Sequence, residues 1–218
     1  MMTKLNVYLV RHGQTYFNIY NKLQGWSNSP LTDKGKQDAV KAGEKVQGIH
    51  FDAAFCSDTT RAQETLKKIL GLNQADTNVT PVYSPYLREQ FYGSWEGVNM
   101  DYAWEMAGLP HGFKTFKDIV TAHSIATAKD YLHEADPFKD AENNEMYWKR
   151  VNKGIQLIKD TGLPDDSNVL WVSHGNTLLS LIERFGNGKY DVTKRPANGS
   201  LTKLVFDGDD VKVDFYNK

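Results

Sequence analysis

Leu5, Val7 and Leu9 alternate with Tyr8 and Val10, so apolar groups fall on both faces of an extended segment. A strand that is apolar on both faces lies between two layers of helices. The segment stops at Arg11-His12-Gly13, a cation, an imidazole and a glycine, followed by Gln14-Thr15. The device recurs: Asn168-Val-Leu-Trp-Val-Ser173 is a second such strand, and it runs into His174-Gly175-Asn176-Thr177. Open parallel sheets bind ligands at the carboxyl ends of their strands, so both histidines stand where chemistry is expected.

The other periodic stretches fill in around these two strands. Leu31-Thr-Asp-Lys-Gly35 opens a helix, with Thr32 as N-cap and Asp33 in the first turn. Ala39, Ala42, Gly43 and Val46 give that helix a slim face able to lie close to a sheet. Phe51–Cys56 predicts a short strand ending at Ser57-Asp58, which should cap a helix carrying Ala62, Leu66, Ile69 and Leu70 on one face. Val79–Tyr83 predicts a third strand, while Tyr16–Pro30 and Tyr86–Gly97 show neither period and read as loops. From Asn99 to about Pro137 the pattern is broken and helical in pieces, long enough to lie as an insertion over the carboxyl edge of the sheet. Tyr147, Val151, Ile155 and Ile158, then Leu178, Leu181, Ile182 and Phe185, make two further helical stripes. Leu201–Phe206 and Val211–Phe215, joined by Asp207-Gly-Asp-Asp210, read as a hairpin. With no linker or repeat, the expectation is one domain over 1–218 with a lid at about 98–140. Its fold class is α/β, a mostly parallel sheet with an antiparallel C-terminal pair.

Composition narrows the function classes. Lys and Arg number 26 against 27 Asp and Glu, so the cationic surplus of a sequence-independent nucleic-acid binder is missing. Cys56 is the sole cysteine, which excludes an internal disulfide and a multi-cysteine zinc site. No apolar run approaches the roughly 18 residues of a membrane helix, and Met1-Met-Thr-Lys enters the first strand at once, leaving no room for a signal peptide. The expectation is a soluble cytoplasmic protein with no membrane and no nucleic-acid partner, as monomer or homodimer.

Arg11, His12, Arg61, Glu89 and His174 stand at or just after strand ends. Two arginines suit a phosphorylated substrate, because a guanidinium holds phosphate oxygens bidentately and keeps its charge. One imidazole can be an unprotonated nucleophile toward phosphorus and another a charged donor to its oxygens. A carboxylic acid can protonate the departing oxygen. With no P-loop, no paired acidic metal motif and no H-E-x-x-H, the residues suggest phosphoryl transfer with no metal and no cofactor. Glu96 lies seven residues from Glu89, and residue type alone does not choose between them.

Leu9-Val-Arg-His-Gly-Gln-Thr-Tyr-Phe-Asn18 resembles the L-[VI]-R-H-G-[EQ]-T-x-x-N signature of the histidine phosphatase superfamily, the phosphoglycerate-mutase-like proteins. L-T-x-x-G at Leu31–Gly35, S-D-x-x-R-A-x-E-T at Ser57–Thr65 and L-R-E-x-x-[FY]-G-x-W-E-G at Leu87–Gly97 follow in order. S-H-G-N-T at Ser173–Thr177 and N-G-S-[LV]-T at Asn198–Thr202 complete the set. The resemblance implies a three-layer α/β/α sandwich in which His12 becomes phosphorylated. Arg11, Arg61 and His174 would line the phosphate pocket, Asn18 would be a polar neighbour, and Glu89 would be the proton donor. Gln24, Gly175 and Asn176 match looser substrate-binding positions.

Family mutases carry a longer insertion with paired arginines and a proline run, neither of which stands between Asn99 and Asp140 here. That region holds nine acidic residues and four lysines between Asp101 and Glu145, an acidic lid that should disfavour highly phosphorylated ligands. The L-R-E-x-x-[FY]-G-x-W-E-G form also resembles the phosphatase branch. The expected activity is therefore hydrolysis of small phosphorylated metabolites. A cofactor-dependent phosphoglycerate mutase is the alternative, and a non-catalytic phospho-ligand-binding regulatory module a more distant one. Cys56 and Arg61 are separated by four residues, one short of the C-x₅-R loop of cysteine phosphatases, so Cys56 reads as a buried strand residue. His50, His111, His123 and His133 read as structural or exposed. Some of Trp26, Phe91, Tyr92, Trp95, Tyr102 and Trp104 should line the pocket mouth.

Overall fold

A computed structural model describes residues 3–75 and 77–218. In chain order the strands are β1 (Lys4–Arg11), β2 (Ala53–Cys56), β3 (Val82–Tyr83), β4 (Ser167–Ser173), β5 (Leu201–Asp207) and β6 (Asp210–Phe215). The helices are α1 (Tyr16–Ile19), α2 (Asp33–Val46), α3 (Thr60–Leu72), α4 (Met100–Gly108), α5 (Phe116–Ala122), α6 (Ile125–Ala135), α7 (Asn144–Lys159) and α8 (Gly175–Phe185). One six-stranded sheet runs in the order β3-β2-β4-β1-β5-β6, parallel from β3 to β1 and antiparallel at β5 and β6.

The doubly apolar strands are sandwiched as their pattern demands. Leu5, Val7 and Leu9 of β1 join Val169 and Trp171 of β4 and the stripes of α7 and α8 in one core. Val10, Leu170 and Val172, on the other face, pack with Ala42 and Val46 of α2 and Ala62, Leu66 and Ile69 of α3. A third cluster joins α4, α5 and α6 through Trp104, Ile119, Ile125 and Leu132 and seats them on Leu23, Tyr92 and Leu179. The inserted helices thus roof the carboxyl edge of the sheet.

Register sets the site. Parallel pairing aligns Leu5 with Ser167 and Arg11 with Ser173, and the His12 N–H donates to the Ser173 carbonyl at 3.0 Å. His12 and His174 therefore leave neighbouring strands at the same level.

Local structure departs from the expectations in three places. The third strand shrinks to Val82–Tyr83 at the sheet edge, pairing only with Phe55 and Cys56; Pro81, just before it, has no N–H to offer a ladder. The helix after β2 starts one step later than expected, with Thr59 at the N-cap and no side-chain cap bond. Within the expected loop, Tyr16–Ile19 forms one helical turn, closed by a capping box between Thr15 and Asn18. Four residues are too few to show a period. Thr32 caps α2 as expected, accepting from the Gly35 N–H.

The end of β1 meets the start of α2 backbone to backbone. A Cβ on Gly13 would stand 2.1 Å from the Gly35 carbonyl oxygen, and one on Gly35 2.0 Å from the Gln14 carbonyl oxygen. Neither neighbour is a side chain that can swing away. Gly35→Ala is expected to destabilise the fold by about 1–3 kcal/mol, the usual cost of overpacking, measured by urea denaturation. An unchanged midpoint would contradict the close approach.

Candidate active site

At the carboxyl edge, a narrow cleft is walled by Arg11, His12, Asn18, Gln24, Glu89, Gly175 and Asn176, together with Lys22, Leu23, Tyr92, Met100 and Arg195. Seven of the nine residues singled out in the sequence line it. Arg61 and His174 lie behind it, both fully buried. The His12 and His174 rings face each other with centroids 5.2 Å apart, tilted by 59°.

Each imidazole has a defined partner. His12 Nδ1 lies 2.8 Å from the Gly13 carbonyl, which only accepts, so Nδ1 carries the proton and Nε2 keeps its lone pair. Burial, then the charges of Arg61 and Arg11, holds the His12 imidazole well below its ordinary titration range and hence neutral. His174 Nε2 pairs with the Ser57 hydroxyl at 2.9 Å, and the same causes, burial first and Arg61 next, keep this ring neutral. Ser57, expected as a helix cap, is thus turned to the second imidazole instead.

Both guanidiniums are fixed by carbonyl oxygens rather than carboxylates. Arg11 Nη1 donates to Pro196, and Arg61 donates to Ser27 at 3.0 Å and Gly25 at 2.7 Å. Burial lowers each to about 10, which leaves both charged at neutral pH and short of counter-charge. Among the described residues, Arg11 Nε, Arg61 Nε, Gln24 Nε2 and His174 Nδ1 are buried without a hydrogen-bond partner. Four orphaned nitrogens around a buried positive field are what a multiply charged oxyanion would satisfy. A Cβ on Gly175 would come within 3.2 Å of Arg11 Nε, so the glycine lets the guanidinium lie against the start of α8.

The two glutamates separate by geometry. Glu89 is in the cleft wall: Oε2 accepts from the Asn176 N–H at 2.7 Å, and Oε1 from Thr177 Oγ1 at 2.9 Å and the Gln90 N–H at 3.0 Å. His174, the N-cap of α8, makes no side-chain cap bond, so this carboxyl serves the Asn176 N–H and the Thr177 hydroxyl of the first turn. Arg150 grips the Glu89 carbonyl at 3.0 Å from behind and is itself held by Glu142 in a 2.6 Å ion pair. Glu96, by contrast, faces the loop of residues 24–28. It accepts from the N–H groups of Gly25, Trp26, Ser27 and Tyr92 and from the Ser27 hydroxyl at 2.5 Å. That loop supplies the carbonyls that hold Arg61, so Glu96 shapes the site without entering it.

The remaining expectations fall out as follows. Gln24 Oε1 accepts from Thr15 Oγ1 at 2.6 Å, and Asn18 Oδ1 accepts from the Thr15 N–H at 3.1 Å. Cys56 is buried at the end of β2, with its thiol pushed up to about 12, chiefly by burial. Of the aromatic residues, Tyr92 lines the cleft, Trp26 stacks with Phe91 at 4.6 Å, and Trp104 sits in the lid core. The acidic lid does not make an acidic pocket. Asp101, Glu105, Asp118, Glu134, Asp140 and Glu145 are solvent-exposed, and the lid adds only Met100 to the wall. Lys22 and Arg195, which the sequence reading passed over, make the cleft cationic. No periodicity marks them, and only the place of Arg195 just before Asn198-Gly-Ser hinted at it.

Two neutral imidazoles, two buried guanidiniums and a carboxyl are thus gathered at the carboxyl edge of the sheet. A model of the histidine phosphatase superfamily (branch 1) matches residues 7–218, and the chain belongs to that superfamily. It is 34% identical over 174 residues to a 2,3-bisphosphoglycerate-dependent phosphoglycerate mutase of Cytophaga hutchinsonii, covering 80% of this chain and 74% of that one. Its fold is similar to the crystal structure of phosphoglycerate mutase from Bacillus anthracis str. Sterne, with a TM-score of 0.87 and 31% identity over 100% of this chain and 94% of that one. The alpha-ribazole phosphatase of Shigella flexneri, at 22% identity and a TM-score of 0.68 over 98% and 96% of the two chains, shares the fold.

Glu96→Gln keeps the shape of the side chain but removes one strong acceptor from a cluster of five donors. It is expected to cost roughly 1–3 kcal/mol of stability, the penalty for a buried donor left unmet, read by chemical denaturation. Full wild-type stability would show that the loop holds itself.

Proposed function

We propose that the protein transfers a phosphoryl group through a phosphohistidine at His12, on a small acid such as phosphoglycerate, as a phosphoglycerate mutase. His12 Nε2 attacks phosphorus, a P–N bond forms as the P–O bond breaks, and Glu89 delivers the proton to the departing oxygen. Arg11, Arg61 and a protonated His174 hold the equatorial oxygens, whose charge raises the affinity of His174 for a proton once substrate is bound. The phosphoryl group then passes to a hydroxyl of the glycerate while Glu89 takes the proton back. Gln24, Asn18 and Asn176 orient the substrate.

The observation that carries this reading is the second set of cations in the same cleft. Lys22 and Arg195 line it beside the phosphate-directed Arg11, and a substrate with a carboxylate besides its phosphate answers both sets. The names borne by the relatives point the same way. The orphaned nitrogens of Arg11, Gln24, Arg61 and His174 suit a bisphosphoglycerate as well. When bound, such a molecule supplies the phosphoryl group that primes His12.

Hydrolysis is the second reading, favoured by the lid: residues 98–140 contain no arginine to clamp a small dianion. Rapid quench in alkali after incubation with labelled 2,3-bisphosphoglycerate should leave acid-labile label on the protein that vanishes in His12→Ala. With 3-phosphoglycerate and a trace of bisphosphoglycerate, 2-phosphoglycerate should form faster than inorganic phosphate, and a chelator should leave the rate unchanged. Glu89→Gln should lower turnover about 10²–10⁴-fold, the usual worth of a general acid. Phosphate release outrunning isomerisation would make the protein a phosphatase, and no label on His12 would overturn both readings.

A further inference from the structure

Lys129 is a charged side chain that the proposed chemistry leaves unused, yet it lies beside the site. It projects from the lid helix α6 and is 1% exposed. Its ammonium donates to Ser180 Oγ at 2.8 Å and lies 4.5 Å from the centroid of the Tyr147 ring. Ser180 Oγ donates in turn to the Asn176 carbonyl at 2.8 Å, and the Asn176 N–H is the group that holds Glu89 Oε2. Three hydrogen bonds thus lead from the lid to the Glu89 carboxyl.

No carboxylate of the described residues lies within 4.0 Å of this ammonium. The charges that face it stand farther off: Glu183 of α8, Glu89, Asp130 of its own helix and Glu142 ahead of α7, in falling order of influence. Two of these are engaged elsewhere, Glu183 with the Ile125 N–H and Glu142 with Arg150. From α7 it meets the buried Tyr147, whose phenol is pushed up by burial and stays neutral, and behind that ring the Arg150 guanidinium. Burial lowers Lys129 to about 8. A lysine kept in such a place for packing alone would be better replaced by methionine, of similar length and no charge.

We propose that Lys129 is a positioning residue: from the lid it fixes the first turn of α8 and, through Asn176, the Glu89 carboxyl. The inference rests on the reading of Glu89 as proton donor. It makes lid seating a condition of proton transfer, because α6 must be docked for the ammonium to reach Ser180. It also predicts a loss of rate on the alkaline side. The ammonium can only donate, which leaves the Ser180 hydroxyl proton to Asn176. The neutral amine donates more weakly and can itself take that proton, so turnover should fall as pH rises through about 8.

Lys129→Met tests this against a structural role. Because burial disfavours the charged form, the folded protein binds fewer protons than the unfolded chain between about 8 and the lysine's free value, and below about 8 the buried charge costs stability in full. Removing the charge should therefore leave the Tm unchanged or higher. Phosphoryl transfer to His12 should slow about tenfold with KM within about twofold, and the alkaline inflection should disappear. Ser180→Ala, which keeps the lysine but cuts its link to Asn176, should show the same kcat loss. Wild-type kcat and pH profile in a folded Lys129→Met overturns the inference. So does a misfolded Lys129→Met alongside a Ser180→Ala of wild-type kcat. Glu89→Gln run in parallel separates the two levels: if it retains full activity the reading of the site fails, whereas an inactive Glu89→Gln beside a normal Lys129→Met removes only the role of Lys129.

Discussion

The parallel pairing of β1 with β4 is the constraint on which the site depends. Two buried strands, far apart in sequence, are locked in a register that sets Arg11 opposite Ser173. A slip of one residue would turn Val7 and Leu9 out of one core and into the face of the other. The hydrophobic pattern thus fixes the level at which His12 and His174 emerge. The geometry of the cleft is a by-product of core packing.

What the sheet brings together, electrostatics makes reactive. Arg11 and Arg61 are buried against carbonyl oxygens, which orient a guanidinium without neutralising it. The loss of water, and after it their field, keeps both imidazoles neutral, and the Gly13 carbonyl decides which nitrogen of His12 holds the proton. The buried cations are left without counter-charge, and Arg11 Nε and Arg61 Nε without a hydrogen-bond partner among the described residues. The N-terminus of α8 adds the Asn176 N–H to the same place, on Glu89.

Much of this was legible in the sequence, for physical reasons. The two strand-then-His-Gly segments, the α7 and α8 stripes and the hairpin at Gly208 are long or sharply punctuated, so their periods survive reading in one dimension. The third strand was legible in place but not in length, shrinking to Val82–Tyr83, and the Tyr16–Ile19 turn was not legible, being too short to carry a period. Residue type could not choose between Glu89 and Glu96, because both are glutamates on an aperiodic segment. Only the fold shows that one meets α8 and the other the loop at Gly25. The charge of the lid misled, since a count of acidic residues says nothing about which way they face. Lys22 and Arg195 meet only across the cleft, through contacts that no local pattern encodes.

The central claim is that the fold holds His12 as a neutral imidazole with Nε2 bare toward the cleft. Long-range ¹H–¹⁵N correlation on protein labelled at histidine, with His12→Asn to assign the ring, reports this directly. At neutral pH and without ligand, Nδ1 of His12 should carry the proton and Nε2 should resonate as an unprotonated nitrogen. A proton on Nε2, or an imidazolium titrating at or above the ordinary histidine range, would contradict the account.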